Sequence, residues 1–383
     1  MSGNGLKSEG YGTHGRCDRK WPRENGPEHV VGNEFTSCEM RGRVNISGRI
    51  QIRKCMAGNG YRNEGAAMSG HAGFSLIELI VVIAILGVLI GLILPAIQAI
   101  RQNMIRLECQ NNLKQIGLAM QNYHSTHGHL PPGYSYTLPA APPEIGKLKF
   151  DFPKPHHFNL PIWPGWGWAA HILSEMDDEP LARRIDLTKP VSGVNATEVR
   201  VTTLKMYRCP ADTGAGVFDV LNYFSDPVMP AASNSYAASF GWAGKVNVPG
   251  AKGNGAFYAN SAVRLNQITD GTSQTILVGE RAGSFTRTPW VGVIDAGSVQ
   301  TTPEAPVYWT MVVPPGAMPL ARVNYRSVND VWSEPYDFWT PHPSGIQFAF
   351  GDGSTRLFKM NTPIEILSAM ATITGGESLA GDR

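Results

Sequence analysis

The sequence predicts an α+β fold: a long N-terminal α-helix, transmembrane and then amphipathic, packed on a mainly antiparallel β-sheet domain with long loops and short helices. Three observations predict it. An apolar run from Phe74 to about Ile97 passes directly into a segment whose apolar residues fall three and four apart. Two alternating segments, 346–350 and 354–358, flank Gly351-Asp352-Gly353, which is a β-hairpin signal. The 42 glycines and 28 prolines among 383 residues call for many turns and much irregular loop.

Residues 1–67 are rich in Gly, Asn, Arg and Glu and carry no sustained apolar period, so no folded domain is expected there. Met56 and Met68 are alternative starts. Segment 1–73 is therefore expected to be a cytoplasmic leader, or an extension upstream of the true start, that is absent from the mature protein. It holds eleven Lys/Arg against seven Asp/Glu, which leaves 22 against 24 for the rest. A nearly neutral mature chain argues against nucleic-acid binding by bulk charge.

Residues 74–129 read as one helix, transmembrane over 74–97 and amphipathic over 98–129. A bilayer core needs roughly 20 apolar residues in a helix, and the run from Phe74 meets that length. Glu78 is the only charge between Phe74 and Ile100. A buried carboxylate needs a partner. Cleavage after Gly73 would supply one, because the freed Phe74 ammonium can pair with Glu78 of a neighbouring copy. Pro95 removes a backbone hydrogen bond and is expected to kink the helix near the outer end of the span. Gly87 and Gly91, four apart, suit close helix packing or are simply tolerated in a membrane helix.

Beyond the span, Ile105, Cys109, Leu113, Ile116, Met120 and Tyr123 share one stripe, with Arg106, Asn111, Lys114 and Gln121 on other faces. Gly128 and Pro131-Pro132-Gly133 end the helix. At 1.5 Å per residue it is roughly 80 Å long. Orientation is not set by charge, since Arg53, Lys54 and Arg62 precede the span and Arg101, Arg106 and Lys114 follow it. The apolar run lacks a small-x-small cleavage site after it, which argues against a conventional secretory signal.

Residues 130–383 are expected to form the exported globular part. Residues 131–167, rich in Pro, Phe and Trp, read as an ordered loop. Trp168 to Ile185 reads as a short helix in one or two pieces, with Pro180 near its middle. Tyr236–Phe240 and Thr275–Gly279 read as strands, with a turn at Thr269-Asp270-Gly271-Thr272-Ser273. A last helix is expected from about Pro363 to Ala371, before Gly375-Gly376.

Of five cysteines, Cys17, Cys38 and Cys55 precede Gly73. Cys109 and Cys209 remain, an even pair suited to one disulfide in an oxidising compartment, with two separate buried thiols as the alternative. His124, His127 and His129 have metal-like spacing but sit where a helix ends, which favours a polar terminus over a metal site. His156 and His157 in the Pro-rich loop are read the same way. His342 precedes the hairpin that turns at Asp352-Gly353, and a structural role, with its imidazole locking a loop, is favoured over metal binding or catalysis. Asp270-Gly271 and Asp352-Gly353 are turn pairs. No cofactor is expected; either aspartate could join a calcium site, yet no EF-hand-like ligand spacing is present. No Gly-x-Ser-x-Gly, His-Glu-x-x-His or phosphate loop occurs, so an enzyme is not expected. Trp163, Trp166 and Trp168 suit core packing or, as the alternative, stacking on a sugar.

Gly73 followed by Phe74-Ser75-Leu76-Ile77-Glu78 resembles the processing site of type IV pilins and type II secretion pseudopilins, and Pro95 falls at the twenty-second mature position, where many pilins also have proline. The resemblance implies cleavage after Gly73 and N-methylation of Phe74 by a prepilin peptidase. A second resemblance spans about residues 74–376. The blocks Cys109-Gln-Asn-Asn-Leu-Lys-Gln-Ile-Gly-Leu, Asn122-Tyr123-His124, Leu130-Pro-Pro-Gly, Arg208-Cys209-Pro210-Ala211-Asp212 and Ile268 to Glu280, with His342 and then Asp352-Gly353, are similar to the pseudopilin-like family carrying domain of unknown function 1559. Together these imply a structural subunit of a type IV pilus or secretion pseudopilus. They imply a single pass through the bacterial inner membrane, with residues 130–383 in the periplasm or on the cell surface. The implied partners are the membrane, the peptidase and other pilin-like subunits. The alternative is a membrane-tethered domain that binds a glycan or small ligand.

Overall fold

The computed structural model describes residues 75–136, 164–176, 179–242, 246 and 252–375. The chain divides into two units, Met1–Gly73 and Phe74–Arg383, and every described residue belongs to the second. The fold is α+β. Helix α1 runs unbroken from Leu76 to His127, through Pro95. It stops where the sequence puts a glycine: Gly128 adopts φ +78°, a left-handed conformation that suits glycine, and its N–H donates to the His124 carbonyl.

After α1 come strands β1 (Tyr134–Ser135) and β2 (Gly165–Gly167), then α2 (Trp168–His171), α3 (Glu179–Ala182) and α4 (Thr197–Val201). A 3₁₀ turn at Leu173–Met176 lies between α2 and α3. The stretch read as one or two helical pieces is therefore three. Pro180 lies in the first turn of α3, where its missing N–H has no intrahelical partner to lose. Residues 137–163, with Trp163, His156 and His157, lie outside the described residues.

Strands β3 (Val217–Leu221), β4 (Pro227–Ala232), β5 (Tyr236–Trp242), β6 (Ile276–Glu280), β7 (Gly292–Val293), β8 (Val299–Gln300), β9 (Val312–Val313), β10 (Leu320–Val323), β11 (Ile346–Phe350) and β12 (Thr355–Phe358) follow, and helix α5 (Ile364–Ala371) comes last. The central sheet has the order β10-β5-β6-β11-β12. Its pairs are antiparallel except β10 with β5. Smaller sheets join β1-β2-β7, β3-β4 and β8-β9.

Alternation along β11 assigns the two faces of the central sheet. Ile346, Phe348 and Phe350 pack with Leu367, Met370 and Ala371 of α5. Ala349 joins the α1 side, and Gln347 donates through Nε2 to the Arg106 carbonyl at 3.1 Å. On that side the predicted helix stripe is the core: Cys109, Leu113, Ile116 and Met120 are fully buried, and Tyr123 nearly so. Each such aliphatic side chain contributes roughly 1.5–3 kcal/mol by leaving water. At Gly117 the helix lies against the hairpin tip, where a Cβ would meet the Gly353 Cα at 3.4 Å, an ordinary contact.

Candidate functional site

The first functional region is the N-terminal half of α1. From Leu76 to Ile97 the large apolar side chains are 47–76 % exposed, so no part of the described domain covers them. Those 22 residues span roughly 33 Å, the thickness of a bilayer core. An apolar surface that encircles a helix is far larger than the patches water-soluble monomers leave bare. This half of α1 is a candidate membrane anchor.

Gly73 and Phe74 lie outside the described residues. Glu78 is described, and it has a local job: its Oε2 accepts the Ser75 N–H at 2.9 Å. Ser75-x-x-Glu78 has the spacing of a capping box, in which the third helical residue reaches back to the N-cap backbone. The sequence carried this signal beside the charge argument. Cap formation occupies one carboxylate oxygen and holds the side chain toward the start of the helix, where the positive end of the helix dipole favours a negative group.

The second region is buried. Cys109 of α1 is disulfide-bonded to Cys209, with Cα atoms 5.3 Å apart and a sequence separation of 100. His342 reaches the same point: its Nε2 lies 3.3 Å from Cys209 Sγ and 3.3 Å from Glu280 Oε1. Glu280, at the end of β6, is fully buried. Its Oε2 accepts hydrogen bonds from Thr340 Oγ1 at 2.7 Å and Gln347 N at 3.0 Å, which fix the carboxyl group. Burial first, and Glu280 second, push the nearby Tyr236 hydroxyl well above its ordinary pKa. Asn112 of α1 donates to that hydroxyl at 3.3 Å and to the Arg208 carbonyl at 3.1 Å. Four separated segments are thus locked to α1 at one place.

Asp212 is the anchor of the segment that carries Cys209. It is buried, and its two oxygens accept from Ser235 Oγ at 2.6 Å, Gly283 N at 2.6 Å, Gly214 N at 3.0 Å and Ser284 N at 2.9 Å. His342 does not turn to Asp352. Asp352 is exposed at the hairpin tip, where Oδ1 accepts the Ser354 N–H at 2.9 Å, and Gly353 takes φ +78°. The tip docks on its neighbours through backbone groups: Gln121 Nε2 donates to the Gly351 carbonyl, and Asp352 N donates to the Thr272 carbonyl at 3.1 Å. Asp270 is half-buried, and its Oδ2 accepts from Thr372 Oγ1 at 3.1 Å and Gly375 N at 2.7 Å, while Gly271 takes φ +95°. These Asp-Gly pairs close turns and tie down the C-terminal segment.

The histidines at the end of α1 serve the helix terminus. His127 stacks on Tyr123 at 3.9 Å between centroids, and its Nδ1 lies 3.1 Å from the Tyr123 carbonyl. His124 Nε2 accepts the Leu265 N–H at 3.2 Å. His171 stands beside them, 2.8 Å from Ser135 Oγ, and burial followed by His127 and His129 pulls its imidazole down to about 4. Trp166 and Trp168 are buried, with indole N–H groups donating to the Lys189 and Pro319 carbonyls, so neither presents a face for stacking on a sugar.

Sequence reasoning singled out Cys109, Cys209 and His342 but missed Glu280 as their neighbour, Asp212 as the anchor and Ser75 as the cap partner. The motif Asp-x-Gly from Asp212 to Gly214 signals the turn. Nothing local signals that Glu280 meets His342.

A family described as protein of unknown function (DUF1559) matches residues 98–365, and the prokaryotic N-terminal methylation motif matches residues 68–94. No curated protein and no solved structure matches the chain. The two matches meet within α1, one covering its exposed half and the other its packed half and the domain beyond.

Proposed function

We propose that this chain, which belongs to the DUF1559 family and carries a prepilin-type N-terminal methylation motif, is a pilin-like structural subunit of a type IV pilus or type II secretion pseudopilus. The observation that carries the reading is the single helix α1, which joins a bare apolar half bearing the methylation motif to a half packed in the domain. Its role is structural, not catalytic. Prepilin peptidase cleaves between Gly73 and Phe74 and methylates the new Phe74 amine. Residues 1–73 are lost. Residues 74–97 hold the subunit in the inner membrane, and residues 130–383 lie on the outer side of it, in the periplasm or at the cell surface. On assembly, Glu78 pairs with the Phe74 ammonium of an adjacent subunit, where a charge-assisted contact sets register in a low-dielectric setting.

N-terminal mass spectrometry of the membrane-extracted protein tests the reading. A chain beginning at methylated Phe74 is the expected result. A chain that retains Met1 or Met68 overturns it.

A further inference from the structure

Cys109, Cys209, Glu280 and His342 are all buried, and one ligand atom from each lies within 4.8 Å of every other. Among the described residues no other group of three or more metal-ligating side chains comes together in this way. A disulfide alone accounts for the two sulfurs. It does not account for the other two side chains. Glu280 Oε1 is completely buried and takes part in no hydrogen bond, although its sister oxygen has two donors. A buried acceptor that makes no hydrogen bond is costly, and more so when charged. Beside that oxygen stands the His342 Nε2, at 3.3 Å, and the same nitrogen lies 3.3 Å from the Cys209 sulfur.

We propose that the reduced form of this chain binds one zinc-class divalent cation through Cys109 Sγ, Cys209 Sγ, His342 Nε2 and Glu280 Oε1, so that one locus carries either a disulfide or a metal. The donor set decides the class of ion. Two thiolates, an imidazole and a carboxylate make a four-coordinate site for a borderline-soft cation, whereas calcium takes six to eight oxygens. Tetrahedral ligands at zinc lie roughly 3.3–3.8 Å apart, and the four ligand atoms here lie within 4.8 Å of one another. Thr340 and Gln347 already orient the carboxyl group, as second-layer partners of metal ligands do. The conversion balances simply. A dithiol reductant supplies two electrons and two protons, the S–S bond breaks to two thiols, and the reductant leaves as its own disulfide. The cation then displaces both thiol protons to solvent. This proposal is independent of filament assembly.

The test uses the detergent-extracted full chain and cobalt(II) as a spectroscopic stand-in for zinc. The reduced chain is expected to take up one cobalt ion per chain, with thiolate-to-cobalt charge transfer and the intense visible absorption of a four-coordinate ion. The oxidised chain is expected to show neither. His342→Ala and Glu280→Gln should each weaken cobalt binding by roughly tenfold or more. Three results overturn the proposal: a reduced wild-type chain with no four-coordinate cobalt spectrum, equal binding in the oxidised chain, or unchanged affinity in both variants. If reduction loosens the fold, far-ultraviolet circular dichroism keeps the test decisive, because zinc must then restore the native spectrum and its failure to do so sinks the idea.

Discussion

Between Leu76 and Ile97 the large apolar side chains of α1 are at least 47 % exposed, whereas Cys109, Leu113, Ile116 and Met120 of the same helix are fully buried. The two halves share a backbone but answer to different surroundings. The exposed half is apolar on every side, as a segment must be when nothing distinguishes its faces. The packed half buries one apolar stripe under the folded domain and is mostly polar elsewhere, with Leu107 and Leu118 left exposed. Surroundings outside the described domain must cover the first half; the domain covers the second by itself. Substitutions that act on one half and spare the other test this division.

The strongest constraint on the packed half is covalent. The Cys109–Cys209 bridge closes a loop of 100 residues. Replacing both cysteines by serine should lower domain stability by about 4 kcal/mol, since loops of this length lose the most unfolded-state entropy on cross-linking. Urea unfolding of the detergent-solubilised chain measures it. An unchanged midpoint would mean that packing alone pins the helix to the domain.

A matched pair of truncations compares the halves directly. Leu113→Ala opens space in a fully buried site and should cost about 3 kcal/mol. Leu89→Ala removes the same atoms from a side chain that is 47 % exposed and should leave domain unfolding within about 0.5 kcal/mol of wild type. Equal losses would show that the domain's stability extends into the apolar half.

The sequence displayed this division more clearly than it displayed the site. The stripe from Ile105 to Tyr123, Gly128 as the stop and the Asp352-Gly353 hairpin are local patterns, and each takes its form from spacing or a required backbone angle. Strand β4 was hidden because Pro227 and Pro230 argue against a strand, yet among the described residues it pairs with β3 in a two-stranded sheet, where proline is tolerated at an edge. Strand β10 was hidden because four residues on a parallel edge carry no hairpin signal. The even cysteine pair was readable from composition. The meeting of Glu280 with His342 depends on how β6 and the approach to β11 pair across the sheet, which no local pattern encodes.

Acid should loosen the packed half at its C-terminal end. His171 titrates near 6.5 in the unfolded chain but at about 4 when folded, owing to burial and then to His127 and His129. As pH falls through that window the unfolded chain gains a proton that the folded chain refuses, so stability present above 6.5 is progressively lost toward 4. Asp337 acts in reverse. Burial raises its carboxyl to about 6 against the pull of Arg322, so its contribution is lost as pH rises from 3.8 to about 6. His171→Gln removes only the first effect. The variant should match wild type at neutral pH and exceed it by on the order of 2 kcal/mol at the acid end. Identical denaturation profiles across the range would remove His171 from the account.

The smallest effect on stability bears most on the exposed half. Glu78 caps Ser75 within one chain, and it is also the charge proposed to meet the Phe74 ammonium of another. Two substitutions separate these tasks. Glu78→Ala removes both and should cost about 0.5–1 kcal/mol of local helix stability through the lost cap. Glu78→Gln keeps a side-chain oxygen that can accept the Ser75 N–H but loses the charge. Both variants should insert in the membrane, because the apolar run is otherwise intact and one charge fewer lies within it. If the charge serves assembly, both should be depleted from pulled-down filaments relative to wild type. If Glu78→Gln subunits assemble as well as wild type while Glu78→Ala subunits do not, the cap alone is what assembly requires, and the pairing with a neighbour's ammonium must be given up. Equal incorporation of all three would remove Glu78 from assembly altogether and leave it as a helix cap at the start of the exposed apolar half.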